Sequence, residues 1–451
     1  MADFRKVLSV ALAHAAYRAY GLDVFRRCAW LKQSEFWSPD DRQKWKLGRL
    51  NLILDFTWQN VPFYRDFWTA HGVRQTPLRH VDELQTYPIL RKETFRKHWE
   101  TIRPKEVNQI PHIQKNSGGT TGKPVHYLLD REQWAVMQAF QLWGWSRAGY
   151  SFGDPVGVLT GGSLMPKHIT LFERVRSFIE RRLFLFGVQM DAELARQYHQ
   201  QLDAFGAEYL YGYPSILYMF AKHLKEQRLR LPKIKAVVVT AEMLQPHYRS
   251  GIESAFNCKV FDDYGCNDGG FESFECKFHR GFHYNDLQSI LELENRDGTL
   301  SGTLLITNLW NRSTPFIRYE NGDKISLLES GCECGAKFPV IRSVEGRTAD
   351  ILNFENGQCF VCPPHLFGDM HIDGWQVVQT GPLKVEVRLA QKGGIDPSYI
   401  LRVQNVMRHH LDSAIKVDVK HVDKLAVTAG GKLKPVWSEV RTVEPALSPL
   451  R

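Results

Sequence analysis

Apolar and polar positions change their rhythm twice along the chain. Over residues 1 to about 100, apolar side chains recur at spacings of three and four. Val7 to Ala16, continued through Leu22, Val24 and Phe25, is one such run, and it predicts an amphipathic helix in a helix-rich start. From Ile110 to Ile341 short β-like runs alternate with helical ones. "KIKAVVVTAEML" reads as a buried strand ending in a polar turn, and "ILYMFAKHLKEQ" reads as a helix. Strand–helix alternation of this kind predicts a largely parallel sheet, whose ligand sits beyond the carboxyl ends of the strands. After about residue 350 a third rhythm begins: a strand at "KVEVRLA", a helix at "PSYILRVQNVMRHHL", a strand at "KVDVKHV", then "AGGKLKPV". The fold class is therefore α/β, with a large N-terminal domain of mixed and parallel sheets over residues 1–349. A small α+β C-terminal domain follows over 350–451. No internal repeat is present.

Composition narrows the classes. The 451 residues are 43% apolar and 24% charged, with no low-complexity tract and no apolar run long enough to cross a bilayer. The apolar stretch near the N-terminus continues at helical spacing past Arg18, Arg26 and Arg27, which fits a helix better than a cleaved leader. A net charge of +9 suits anionic ligands in general. Its one local cluster, Arg174, Arg176, Arg181 and Arg182 in "FERVRSFIERRLF", reads as a solvated helix face, and no nucleic-acid-binding module accompanies it. Eight cysteines in a chain of this length are not a disulfide framework, so a reducing cytoplasm is the expected compartment.

The densest chemistry lies in "NSGGTTGKPVHYLL", residues 116–129. It fails the P-loop pattern twice: Ser117 stands where a glycine is required, and Pro124 follows Lys123 instead of a hydroxyl. The alternation of Val125, Tyr127 and Leu129 predicts a strand rather than a helix after the loop. The stretch is therefore a glycine-rich hairpin loop. Amides of Gly118, Gly119 and Gly122, hydroxyls of Ser117, Thr120 and Thr121, and the Lys123 ammonium can together wrap phosphate oxygens.

Four later segments stand at strand ends or turns: "FDDYGCND", "STPFIRYENGD", "VEGRTAD" and "GGKLKPV". Their order after the glycine/threonine loop resembles the adenylate-forming ligase superfamily. "SGGTTGKP", "NVPFYRDFW", "ECKFHRGFHYNDLQSILEL", "CECG" and "GRTADIL" resemble its phenylacetate–coenzyme A ligase and CapK-like branch, over about residues 40 to 440. The resemblance implies that ATP and a carboxylic acid form an acyl adenylate, with magnesium, and that coenzyme A then takes the acyl group. An amine or hydroxyl acceptor is the alternative, and a non-catalytic nucleotide-binding scaffold is a third. It assigns Ser117 to Lys123 to the β- and γ-phosphates and Tyr264, beside Gly265, to the adenine. It assigns Asp323 to the ribose, and Arg318 or Arg347 to phosphate or to fixing that loop. Asp268 stands where the family usually has a magnesium-binding glutamate, and Asn267 where it has Thr or Ser. Lys432, with Lys434 as competitor, would bridge the carboxylate and the α-phosphate, and Asp350 falls at the family's interdomain hinge. For the acyl pocket the expected residues are Tyr213 and Glu242.

Cys332-x-Cys334, between glycines, forms a knuckle that can present two thiolates. Cys276 and His283, with His279 as a rival, complete a tetrahedral set suited to structural zinc.

Overall fold

The structure is a computed structural model. It describes residues 4–116, 125–160, 171–186, 190–229, 233–295, 299–329, 331–347, 351–355, 359–361, 367, 372, 374–391, 395–427 and 433–440. The chain opens with helices Phe4–Ala19, Val24–Ser34, Pro39–Asn60 and Pro62–Ala70. Ser38 caps the third, its hydroxyl accepting from the Asp41 amide at 3.1 Å, with Pro39 in the first turn. "PFYRDFW" opens the fourth, which buries Phe63, Tyr64 and Trp68 and ties back to the sheet as the Tyr64 hydroxyl donates to the Pro315 carbonyl at 2.6 Å.

Strands His112–Asn116 (β1) and His126–Asp130 (β2) pair antiparallel, with Asn116 opposite His126. The expected hairpin is present, and its glycine-rich connection, 117–124, lies outside the described residues. The main sheet is built from Val156–Thr160 (β3), Arg182–Phe186 (β4), Tyr209–Gly212 (β5), Ala236–Thr240 (β6), Lys259–Cys266 (β7), Phe271–Glu275 (β8) and Phe282–Tyr284 (β9). It continues with Ser289–Glu294 (β10), Ser301–Asn308 (β11), Tyr319–Leu327 (β12) and Val340–Arg347 (β13). Its eleven strands run in the order β10-β11-β12-β13-β9-β8-β7-β6-β5-β3-β4. From β4 to β7 they are parallel, and from β7 to β10 antiparallel.

Both faces of the parallel half are covered, as fully apolar strands require. Leu159, Leu210, Val237, Val239 and Val260 pack with residues of helices Ala192–Phe205, Pro214–Glu226 and Pro246–Phe256. On the other face Val158, Tyr209, Val238, Phe261 and Phe274 meet Phe140, Trp143 and Trp145 of helix Arg131–Arg147. That helix lies so close to the sheet that a Cβ on Gly144 would stand 2.2 Å from the Phe274 ring.

The basic cluster departs from its expected solvated face. Glu180, 2% exposed, draws Arg176 at 2.6 Å and Arg182 at 2.9 Å into ion pairs, and Tyr17 donates to the same carboxylate. Arg181 is bonded to the Gly153 carbonyl. A buried carboxylate costs several kcal/mol unless paired, so the guanidiniums turn inward.

Toward the C-terminus strands Ile351–Asn353 and Cys359–Val361 form a small ribbon. A four-stranded sheet follows, of Gly374–Gly381, Lys384–Ala390, Lys416–His421 and Val436–Ser438. Helix Pro397–His410 contributes Val403 and Met407 to the core over it, together with Val377, Val385, Val387 and Val436. Among the described residues no helix is long and apolar enough to cross a membrane.

Candidate active site

The turn that joins β7 to β8 carries "YGCNDGG", and its glycines are required. Gly269 and Gly270 have φ of +112° and +73°, and Cβ atoms there would meet Ile306 at 2.6 Å and the Asn308 amide at 2.7 Å. The Gly270 carbonyl accepts from Gln133, Gln288 and Asn308, each at 2.9 Å, so the turn is clamped from three elements. What the clamp positions is Asp268, 4% exposed. One of its oxygens meets the Lys92 ammonium at 2.8 Å and accepts from the Tyr319 hydroxyl at 3.0 Å. Lys92 also donates to the Asn321 carbonyl at 3.0 Å. Burial, and next the Asp268 charge, holds the Tyr319 phenol well above its ordinary range, so it stays a donor. Asn267, by contrast, is exposed.

A second carboxylate lies on the same side. The Tyr264 hydroxyl donates to Asp323 at 2.8 Å, the Asn321 side-chain amide donates to the same oxygen at 2.8 Å, and Asn321 in turn accepts from the Asp323 amide at 3.0 Å. Asp323 is 3% exposed. Its neighbour across the sheet is Arg347 of β13, whose side chain lies outside the described residues. Gly265 is exposed at the end of β7 between Tyr264 and the turn. Two anchored acids, a ring and a glycine therefore converge where parallel strands end, the usual ligand position in α/β sheets.

Other expected residues sort differently. Arg318 has φ of +46°, and its guanidinium is taken up by Glu292 at 3.1 Å and by the carbonyls of Gln85 and Tyr87. These contacts balance its charge with Glu292 and tie it to the segment of Gln85 and Tyr87. Tyr213 is fully buried with Leu159, Leu217 and Val239, directly before helix Pro214–Glu226. Its ring is a core ring in this structure, a correction that follows from β5 continuing straight into that helix. Glu242 sits just past β6. It accepts from the Ser215 hydroxyl at 2.6 Å and amide at 3.2 Å, and from the amide of Leu433 at 2.7 Å. Ser117, Gly118, Gly119, Thr120, Thr121, Gly122, Lys123, Asp350 and Lys432 lie outside the described residues.

No family model matches the chain. Individual proteins do. Protein CapK of Staphylococcus aureus is 25% identical over 308 residues, 67% of each chain. Phenylacetate-coenzyme A ligase of Escherichia coli K12 is 25% identical over 408 residues, 85% of this chain and 84% of that one. Among solved structures, 2-hydroxyisobutyryl-CoA ligase in its postadenylation state superposes with a TM-score of 0.69 at 19% identity, over 89% of this chain and 90% of that one. The chain is similar to adenylate-forming ligases in sequence and shares their fold. The curated relatives it resembles are CapK and the phenylacetate–coenzyme A ligases.

The structure also brings the four expected metal ligands together. Donor atoms of Cys276, His283, Cys332 and Cys334 all lie within 4.8 Å of one another. Cys276 and Cys332 sulfurs are 3.6 Å apart, and Cys334 Sγ is 3.3 Å from His283 Nε2. Nδ1 of His283 donates to the Phe338 carbonyl at 3.1 Å, which leaves Nε2 as the lone-pair nitrogen facing the sulfurs. Burial first, and then neighbouring thiols, holds the Cys276 thiol up at about 12. The rival, His279, turns away to Glu275 at 3.0 Å and to Arg249.

Sequence reasoning missed Lys92, Tyr319 and Asn321. Tyr319 and Asn321 lie inside "RYENGD" and were open to recognition. Lys92 comes from a distant helix, Lys92–Lys97, and no local pattern marks it.

Proposed function

We propose that this ligase activates a carboxylic acid with ATP, forming an acyl adenylate and pyrophosphate, and passes the acyl group to coenzyme A. The observation that carries the proposal is the 2.7 Å bond from the Leu433 amide to Glu242. It brings the residue that follows Lys432 to the end of β6, which pairs with β7, the strand that carries Tyr264 and leads into the turn of Asp268. An ammonium entering there would meet the substrate carboxylate and the α-phosphate where their negative charges approach.

Each anchored group then has a task. Tyr264 offers a face to the adenine, and Asp323, oriented by Asn321, accepts from the ribose hydroxyls. Ser117 to Lys123 wrap the β- and γ-phosphates, and Arg347 neutralises phosphate charge. Asp268 fits a magnesium ion: one oxygen is held by Lys92 and Tyr319, and among the described residues the other is bonded by the Cys266 thiol alone, at 3.5 Å. A single carboxylate with phosphate oxygens and water is a usual magnesium environment, and the ion supplies charge neutralisation on the phosphates. In-line displacement at phosphorus is mostly positioning and charge balance, which is what these residues offer. The unit from residue 350 onward is read as a mobile domain hinged at Asp350, which withdraws Lys432 once the adenylate has formed.

Cys276, His283, Cys332 and Cys334 suit a closed structural zinc site, since three sulfurs and an oriented imidazole form a tetrahedral donor set. Metal analysis of protein purified without chelator should give about one zinc per chain. Cys332→Ser should lose the metal and lower the melting temperature; metal-free protein of unchanged stability would end the assignment.

Pyrophosphate release, followed over a panel of carboxylic acids, tests the main reading. Release should depend on the acid, and addition of coenzyme A should yield the thioester. Product formation only with an amine or hydroxyl would move the chain to amide or ester formation, and silence with every acid would favour a nucleotide-binding scaffold.

A further inference from the structure

The face of the parallel sheet that meets helix Arg131–Arg147 is apolar for most of its length and turns polar at one end. Val158 gives way to Thr160 on β3, Val238 to Thr240 on β6, and Phe261 to Asp263 on β7. Strand register places these positions side by side, since Thr240 stands opposite Asp263 and Val238 opposite both Tyr211 and Phe261. Across the β7–β8 pair Glu272 lies opposite Gly265, and so shares the face of Asp263 one step along. Thr160, Tyr211, Thr240 and Asp263 are all buried.

Tyr211 and Thr240 satisfy each other by a hydrogen bond. Among the described residues the two acids have no such relief. Asp263 is 6% exposed, yet among the described residues its carboxyl has neither a hydrogen-bond nor an ion-pair partner. One carboxyl oxygen of Glu272 is buried and likewise without a partner. Burial, and for Asp263 also the Glu272 charge, pushes both carboxyls above their ordinary range. A buried carboxyl left unpaired costs stability and is not explained by packing. Its place explains it better. Asp263 directly precedes Tyr264, and the pair occupies the sheet face opposite to Tyr264, at the strand ends where an acyl group bound beside the nucleotide would lie.

We propose that Asp263 and Glu272 form the recognition site for a cationic group on the substrate, which is therefore a carboxylic acid that also carries a protonated amine. This rests on the adenylation reading and adds the substrate class. The ammonium supplies the positive charge and donors that the carboxyls lack among the described residues, while the buried, packed rings of Trp145 and Tyr211 border the site. An acid without the amine leaves two carboxyls unpaired beside its own apolar chain, which is the stronger kind of discrimination.

Matched pairs of acids that differ only by replacing a methyl with an aminomethyl group decide the matter. An example is 4-methylbenzoate against 4-(aminomethyl)benzoate, with aliphatic pairs alongside, in acid-dependent ATP–pyrophosphate exchange. The aminated member should be used at least about 10-fold better in kcat/KM, as expected for loss of a buried polar partner. Asp263→Asn with Glu272→Gln should erase or invert that preference, and Glu272→Gln alone should reduce it. Ligand-induced thermal shifts on the unsubstituted protein give the same ranking without relying on a variant's folding. Preferential use of neutral acids, or a preference for the amine that survives both substitutions, overturns the inference while leaving adenylation standing. Absence of exchange with every acid overturns both.

Discussion

Two pairs of acids, all buried but the half-buried Glu272, flank the same strand, and they are treated in opposite ways. Asp268 and Asp323, on the side of Tyr264, are each tied by two donors: Lys92 and Tyr319 hold one, Tyr264 and Asn321 the other. Asp263 and Glu272, on the other side, have no partner among the described residues. Asp263 is buried about as deeply as Asp268 and Asp323, so it is the unequal satisfaction that separates two kinds of site. Carboxylates that must keep one geometry for a polyanionic ligand and its cation are fixed in advance. Carboxylates that wait for a ligand's own charge are left incomplete.

The comparison can be broken or sharpened experimentally, and the largest effect is expected from the C-terminal unit. If the anchored pair serves a nucleotide, the cation missing from it at the reacting centre comes from Lys432. Lys432→Ala should lower adenylation about 10²–10³-fold while sparing transfer from a supplied acyl adenylate. Stopped-flow or exchange kinetics on each half-reaction would detect an equal loss of both, which contradicts the role. Next, Lys92→Met makes Asp268 resemble Asp263 by removing its ion pair. Urea unfolding should register a loss of about 3 kcal/mol, the cost of one unpaired buried charge. A loss below about 1 kcal/mol would mean that Lys92 does not anchor Asp268.

Asp323→Asn keeps the shape and removes the charge. ATP affinity, measured by titration calorimetry, should fall about 10-fold, in line with losing hydrogen bonds to a charged acceptor. Unchanged affinity would detach Tyr264 and Asp323 from the nucleotide. The smallest effect is a pH slope. Glu272 is held at about 8 by burial, against an ordinary value of 4.5. Below pH 4.5 it is protonated whether the chain is folded or not. Between 4.5 and about 8 the unfolded chain gives up the proton first, so this group's contribution to stability is lost as pH rises, and above about 8 the deficit is constant. Glu272→Gln should flatten that decline in thermal melts; an identical pH profile would show that the carboxyl is not strained.

Much of this organisation was legible in the chain itself. The change from helical to alternating to mixed rhythm marked the layers, and the hairpin around the glycine-rich stretch followed from Val125, Tyr127 and Leu129. Cys276, His283, Cys332 and Cys334 were grouped from residue chemistry, and the fold brings their donor atoms together. What escaped was long-range. Lys92 reaches Asp268 from 176 positions away, Arg318 is neutralised by Glu292 and by carbonyls of Gln85 and Tyr87, and Arg176 and Arg182 turn inward to Glu180. Local pattern shows the residue type but not which distant partner satisfies it. Tyr213 failed for a related reason: an aromatic residue at a strand end reads alike whether it faces a ligand or the core.

The central claim is that this protein spends ATP at the α-phosphorus to make a mixed anhydride of a carboxylic acid. Mass spectrometry of the protein mixed with ATP, magnesium and an accepted acid, with every acceptor omitted, tests it most directly. An acyl adenylate retained at about one per chain, with pyrophosphate as the co-product, is the predicted result. ADP and inorganic phosphate in their place would put the attack at the γ-phosphorus and contradict the account.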